Sequence, residues 1–134
     1  MPDSILVLFA HPAYQRSRAN RRMVDAIADL DHIELRDLYE EYPDFNIDVP
    51  EEQKRLDAHD IIVFQHPLYW YSCPALLKEW LDLVLEFGYA FGPEGVALQG
   101  KKLLSVVTTG GSTEAYSRKG VNRFSMQELL VPFA

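Results

Sequence analysis

Three apolar runs punctuate the chain, and each ends in a loop that leads into a helical pattern. Residues 4–10 (SILVLFA) are almost unbroken in their apolar character and stop at His11-Pro12. A strand buried on both faces of a parallel sheet reads this way. Ser17 then opens a helix with Ala19, Met23, Ile27 and Leu30 at helical spacing. Residues 33–38 (IELRDL) alternate apolar and polar, which predicts a strand nearer a sheet edge. Residues 39–50 are acidic and aromatic, hold two prolines and predict a loop. A short helix is expected over 51–59, and a second fully buried strand over 60–65 (DIIVFQ).

Beyond it, His66-Pro67-Leu68-Tyr69-Trp70-Tyr71 predicts a loop rich in aromatics, and Pro74 falls where a first helical turn tolerates proline. That helix carries Leu76, Leu77, Trp80, Leu81 and Val84 on one face and stops at Gly88. Residues 87–100, with four glycines, predict a loop, and 102–109 (KLLSVVTT) a third buried strand broken off at Gly110-Gly111. Residues 122–131 predict a last helix.

Alternating strands and helices predict a single α/β domain over 1–134, with a doubly wound parallel sheet covered on both faces. A five-stranded domain needs one strand more than this sequence supplies, so the expectation is a domain without its last strand and helix. Ligands of such sheets bind beyond the carboxyl ends of the strands. That rule singles out residues 11–20, 66–71 and 108–116.

Composition narrows the reading. At 134 residues there is room for one core, and 48% hydrophobic with 25% charged residues is ordinary for a folded domain. A net charge of −7 argues against a nucleic-acid partner, the group Arg16, Arg18, Arg21 and Arg22 being the local exception. The single cysteine, Cys73, allows no internal disulfide and sits beside no obvious base, which predicts a small helix-start residue in a reducing compartment. The first apolar run is too short and too acidic in its flank for a signal peptide, and nothing approaches a membrane span. A cytoplasmic location is expected.

The three loops hold the candidate chemistry. The first has neither G-x-G-x-x-G nor a Walker pattern, which argues against a dinucleotide-binding Rossmann domain and a nucleoside triphosphatase. Ser17 as N-cap leaves backbone N–H groups free at the positive end of a helix, an anion site or merely a cap. Tyr69, Trp70 and Tyr71 cannot all enter the core from a loop; they line a cleft for a flat ligand or plug the sheet end. Thr108-Thr109-Gly110-Gly111 lets a ligand approach the backbone, though many turns carry two glycines. Tyr116 is either a hydrogen-bond donor to a ligand or a surface tyrosine. The four histidines, His11, His32, His59 and His66, lack metal-like spacing, so no metal site is expected, with His32 and His59 at the surface. Glu40-Glu41 and Glu51-Glu52 read as solvated faces.

Together these loops resemble the NAD(P)H:quinone oxidoreductase (DT-diaphorase) family of flavodoxin-like flavoproteins. The resemblance rests on His11-Pro12 with Ser17-x-x-Asn20, on residues 65–71 with Pro74-x-x-Leu77-Lys78-x-Trp80-Leu81-Asp82, and on residues 108–111. Residues 42–48 and 72–82 look closest to the bacterial ancillary oxidoreductases of glutathione-gated potassium-efflux systems. The resemblance implies the strand order 2-1-3-4-5 and a flavin, FMN rather than FAD by likeness to the bacterial branch. It implies that His11, Ser17, Arg18, Ala19 and Asn20 hold the flavin phosphate, that Leu68, Tyr69, Trp70 and Tyr71 wrap the isoalloxazine, and that Thr108, Thr109, Gly110 and Gly111 bring backbone donors to its pyrimidine end. Tyr116 matches the family's active-site tyrosine. Asn122 stands where mammalian-type members have a histidine that assists that tyrosine.

The activity implied is hydride transfer from NAD(P)H through the flavin to a quinone, in a homodimer whose slot is walled by the aromatic loop and residues 87–95. The alternative implied is a flavin-binding regulatory subunit, peripheral at the inner face of the membrane, that activates a potassium-efflux antiporter. A flavodoxin-like electron carrier is disfavoured, because residues 11–20 replace the Ser/Thr/Gly-rich phosphate loop.

Overall fold

A computed structural model describes residues 3–133. Its centre is an all-parallel sheet of β1 (Ile5–Phe9), β2 (Ile33–Asp37), β3 (Ile61–Pro67) and β4 (Lys102–Thr108), in the spatial order β2-β1-β3-β4. The helices are α1 (Arg18–Ile27), α2 (Leu38–Glu41), α3 (Val49–Asp57), α4 (Ala75–Val84) and α5 (Met126–Leu129), with 3-10 turns at Tyr14–Arg16, Glu114–Tyr116 and Val131–Phe133.

Register sorts the side chains by face. Leu6 and Leu8 lie beside Ile62 and Phe64, and this face meets Leu56 of α3 and Leu76, Leu77, Trp80 and Val84 of α4. Trp80 is sealed from solvent and meets Phe64 edge-on at 5.8 Å. Each such large side chain contributes about 1.5–3 kcal/mol through burial. On the other face Val7 and Phe9 are buried, and Phe9 meets Tyr14 edge-on at 5.2 Å.

Local capping sets the boundaries. Ser17 caps α1, Asp37 caps α2 through the Glu40 N–H, and Asp48 caps α3 with Pro50 in its first turn. Residues 39–50 are therefore not one loop: they hold the turn of α2 and the start of α3. Ser125 and Glu128 form a reciprocal capping box, so the last helix is the single turn α5 rather than 122–131. α1 ends at Ile27, short of Leu30, while β3 runs on through His66 and Pro67.

Three further expectations are corrected. β4 is not buried: Leu103 is 48% and Leu104 54% exposed, because β4 is the sheet's edge among the described residues. Glu52 is no solvated acid but fully buried, its Oε1 accepting from the Tyr42 hydroxyl at 2.8 Å. His59 is tucked in at 12% side-chain exposure, held by the Arg55 carbonyl at 2.6 Å and Glu34 at 3.3 Å.

Candidate functional site

The carboxyl ends of β1, β3 and β4 bring the three predicted loops together. After β1, the Ser17 hydroxyl accepts from the Asn20 N–H at 3.2 Å and from Asn20 Nδ2 at 2.8 Å. The same Nδ2 donates to Thr108 Oγ1 at 2.9 Å, so one buried amide ties the first loop to the third. Asn20 Oδ1 is buried and has no partner. Among the described residues, neither the Arg18 nor the Ala19 N–H has a protein acceptor, and both point from the positive end of α1. The Arg18 side chain is exposed and has no carboxylate partner there.

His11 is half-buried, its Nδ1 accepts from the Ala13 N–H at 2.9 Å, and its ring stands 6.3 Å from that of Tyr69. Burial pushes the His11 pKa down, only partly offset by Asp37, so the ring is neutral. His11 also lines a cleft of about 820 Å³, with Tyr14, Arg16, Asp37, Tyr39 and Glu40. Burial raises the Asp37 carboxyl and the Tyr39 phenol. Sequence reasoning missed Asp37 and Tyr39; the signal was available, since Asp37 is the last residue of β2 and lies at the same carboxyl edge.

In the second loop the Leu68 N–H donates to the Thr108 carbonyl at 2.7 Å, and Ser72 closes back onto the Tyr69 carbonyl at 3.0 Å. Between them Trp70 and Tyr71 adopt left-handed backbone, φ 51° and 61°. That conformation costs about 1–2 kcal/mol for each residue with a Cβ. All three aromatics stay outside the core, Trp70 at 93% exposure. The Trp70 and Tyr71 N–H groups have no protein acceptor among the described residues. Leu68, Trp70, Tyr71 and Tyr116 line a cleft of about 220 Å³.

The third loop positions Tyr116. The Gly111 N–H donates to Thr109 Oγ1 at 3.0 Å, and that hydroxyl donates to the Tyr116 oxygen at 2.8 Å. The Tyr116 hydroxyl has no other side-chain partner among the described residues, which leaves it a further hydrogen bond for a ligand. A Cβ on Gly111 would lie 2.7 Å from the Tyr116 ring, so glycine is required for this close approach. Thr109, Gly111 and Tyr116 share a cleft of about 300 Å³, while Gly110 stands open.

Some expected partners are not brought together. Asn122 does not bond Tyr116; its Oδ1 accepts from the Tyr71 hydroxyl at 2.8 Å, a pairing no sequence signal announced. Residues 87–95, expected to wall the slot of a homodimer, are tied within the chain to α3 through Tyr89 to Asp57 at 2.8 Å. Cys73 is half-buried and its thiol is pushed up by burial, as suits an inert packing residue. Among the described residues no three His, Cys, Asp or Glu side chains form a metal cluster. No described helix is long and apolar enough to cross a membrane.

A parallel sheet ordered 2-1-3-4, flanked by helices and with the three loops described above at its carboxyl edge, defines a flavodoxin-like α/β protein. The chain belongs to the Flavodoxin_2 family, described as having the flavodoxin-like fold, whose model matches residues 3–134. It is 54% identical over 132 residues to the glutathione-regulated potassium-efflux system ancillary protein KefG of Yersinia enterocolitica, covering 98% of this chain and 72% of that protein. Among solved structures it is similar to general stress protein 14 of Treponema denticola in complex with FMN, with a TM-score of 0.94 and 40% identity over 97% of this chain and 75% of that one. An NADPH-quinone reductase from P. pentosaceus gives a TM-score of 0.88 at 35% identity, covering 97% and 74%.

The residues present fit such a flavin. A buried acceptor without a partner, Asn20 Oδ1, sits beside two free N–H groups, and the aromatic residues that carry a second free pair, Trp70 and Tyr71, line a cleft. A ligand offering a phosphate, hydroxyl donors and a planar ring complements all of these.

Proposed function

We propose that the protein binds FMN at the carboxyl ends of β1, β3 and β4 and passes hydride from NAD(P)H to a quinone-type acceptor. The observation that carries this reading is that Trp70 and Tyr71, whose N–H groups lack a protein acceptor, share one cleft with Tyr116, which shares a second with Thr109 and Gly111. Arg18, Ala19 and the Ser17 hydroxyl receive the phosphate at the start of α1, with neutral His11 beside them. Asn20 Oδ1 accepts a ribityl hydroxyl. Leu68, Tyr69, Trp70 and Tyr71 flank the ring, and Thr108, Thr109, Gly110 and Gly111 admit its pyrimidine end close to the backbone. Tyr116 is the catalytic residue: its hydroxyl meets negative charge as it gathers there.

The bound flavin supplies the redox chemistry, taking a hydride from the nicotinamide and giving two electrons to a quinone that leaves protonated as the quinol. FMN over FAD is supported by the FMN-bound neighbour, and the NAD(P)H and quinone assignment by the reductase neighbour. A homodimer belongs to this reading, with the exposed Phe87 and Phe91 available to a second copy. The test is the absorption spectrum after incubation with excess FMN and desalting. A retained flavin band bleached by NADPH and restored by a quinone is expected; no retained band overturns the reading.

A second role is favoured by the identity to KefG: a cytoplasmic subunit, peripheral at the membrane, that activates a potassium-efflux antiporter. The roles are compatible. Regulation independent of catalysis predicts co-purification with the transporter and activation that survives Tyr116→Phe.

A further inference from the structure

Trp70 and Tyr71 form the two-residue turn between the bridged Tyr69 and Ser72, and left-handed backbone at two bulky residues costs energy that neighbouring contacts must offset. Trp70 offers little hold, being almost wholly exposed. The Ser72 N–H closes the turn onto the Tyr69 carbonyl and Leu68 bonds Thr108, but neither bond fixes the side chains of the pair. The side-chain hydrogen bond made by the pair itself runs from the Tyr71 hydroxyl to Asn122 Oδ1, at 2.8 Å and across 51 positions of sequence. Asn122 is itself fixed, its N–H donating to the Ala115 carbonyl at 3.1 Å, next to Tyr116. The bond therefore joins the two walls of the cleft shared by Leu68, Trp70, Tyr71 and Tyr116.

We infer that Asn122 is a positioning residue for the flavin: by accepting the Tyr71 hydroxyl it supports the Trp70–Tyr71 turn, closed at its base by the Ser72 to Tyr69 bond, and fixes it against the segment that carries Tyr116. This rests on the FMN-binding reading above. An amide oxygen performs the task without exchanging a proton.

Two measurements on the full chain test it, on wild type, Tyr71→Phe, Asn122→Ala, the double variant and Asn122→Asp. The first needs no flavin. Positive φ gives strong intraresidue amide–Hα cross-relaxation in NMR spectra. Wild type and Asn122→Asp, which keeps an acceptor oxygen, are expected to show it at residues 70 and 71. Tyr71→Phe and Asn122→Ala are expected to lose it, with the β1 and β3 resonances unmoved.

The second is FMN affinity by fluorescence titration. Each single variant is expected to bind about tenfold more weakly and the double variant no worse, with Asn122→Asp close to wild type. Retained NMR markers in either single variant overturn this support of the turn. Lost markers with unchanged affinity make the bond structural only and overturn the positioning role. Wild-type protein that binds no FMN brings down the functional reading and the positioning role together. Failure confined to the variants leaves the functional reading standing.

Discussion

Asn20 and Thr108 meet across 88 positions of sequence through a single 2.9 Å hydrogen bond, and the asparagine making it is shut off from solvent. The same Nδ2 holds Ser17, so one amide sets the spacing between the helix start and the end of β4. Asn20→Ala removes both side-chain bonds: Thr108 Oγ1 loses this donor, while Ser17 Oγ keeps the backbone N–H of residue 20. We expect a loss of about 1–3 kcal/mol in stability, seen as a lower urea midpoint. FMN affinity should fall as well, because the two loops lose their common tie. An unchanged midpoint would show that water replaces the amide without cost.

The Glu52–Tyr42 pair makes a prediction about stability alone. Glu52 is fully buried, accepts from Tyr42 at 2.8 Å, and has its nearest cation, Arg55, at 3.8 Å. Burial, and then the adjacent carboxylate, pushes the Tyr42 phenol up to about 12. Tyr42→Phe strips a buried acidic group of its donor and should cost about 1–3 kcal/mol. Glu52→Gln keeps an acceptor for the phenol and should cost less. Denaturation curves of equal midpoint for the two variants would refute this ordering.

How far the sequence carried these conclusions depends on the range of the force involved. β1 and β3 were legible because an unbroken apolar run fits a strand covered on both faces: Leu6, Leu8, Ile62 and Phe64 are buried on one face, and Val7, Phe9 and Val63 on the other. β4 carries a similar run, yet Leu103 and Leu104 are exposed. Hydropathy states what a residue favours, not how many neighbours the fold supplies. Ser17 was legible as a cap because capping acts within three residues, and Asp37 and Asp48 obey the same short-range rule that residues 39–50 concealed behind a loop-like composition. Asn122 was placed by resemblance beside Tyr116, whereas its acceptor oxygen serves Tyr71. Pairings across 51 or 88 positions depend on the assembled fold, and no local pattern encodes them.

Acid should destabilise the protein earlier than its carboxylates alone would dictate. His66 is sealed in the core, with Nδ1 2.8 Å from the Pro67 carbonyl and Nε2 unpaired, an arrangement that requires a neutral ring with its proton on Nδ1. Burial depresses its pKa below 6.5, and the Pro67 bond only partly opposes this. The unfolded chain then binds a proton that the folded chain refuses. Stability is full above the unfolded value of 6.5 and is lost as pH falls below it, by up to about 1.4 kcal/mol per pH unit for one proton. His11, also depressed, adds in the same direction. Urea midpoints at pH 7.5 and 5.5 check this: the wild type should lose more across the interval than His66→Gln. Equal losses would remove His66 from the account.

Tyr116 and Gly111 allow the chemistry to be separated from binding. Tyr116→Phe removes one hydroxyl and leaves the ring, the Gly111 contact and the backbone donors in place. FMN retention should therefore change little, while hydride transfer from NAD(P)H slows by roughly tenfold. That is less than the 10²–10³ of a sequestered oxyanion donor, because Tyr116 lines clefts open to water. Gly111→Ala attacks the same hydroxyl from behind: its Cβ, 2.7 Å from the ring, forces Tyr116 aside and breaks the Thr109 bond. Stopped-flow bleaching of the flavin by NADPH distinguishes the outcomes. Similar slowing in both variants, with flavin retained, assigns the step to the placed hydroxyl. Wild-type rates in Tyr116→Phe would mean that the backbone donors carry the charge alone, and Tyr116 would lose its catalytic role.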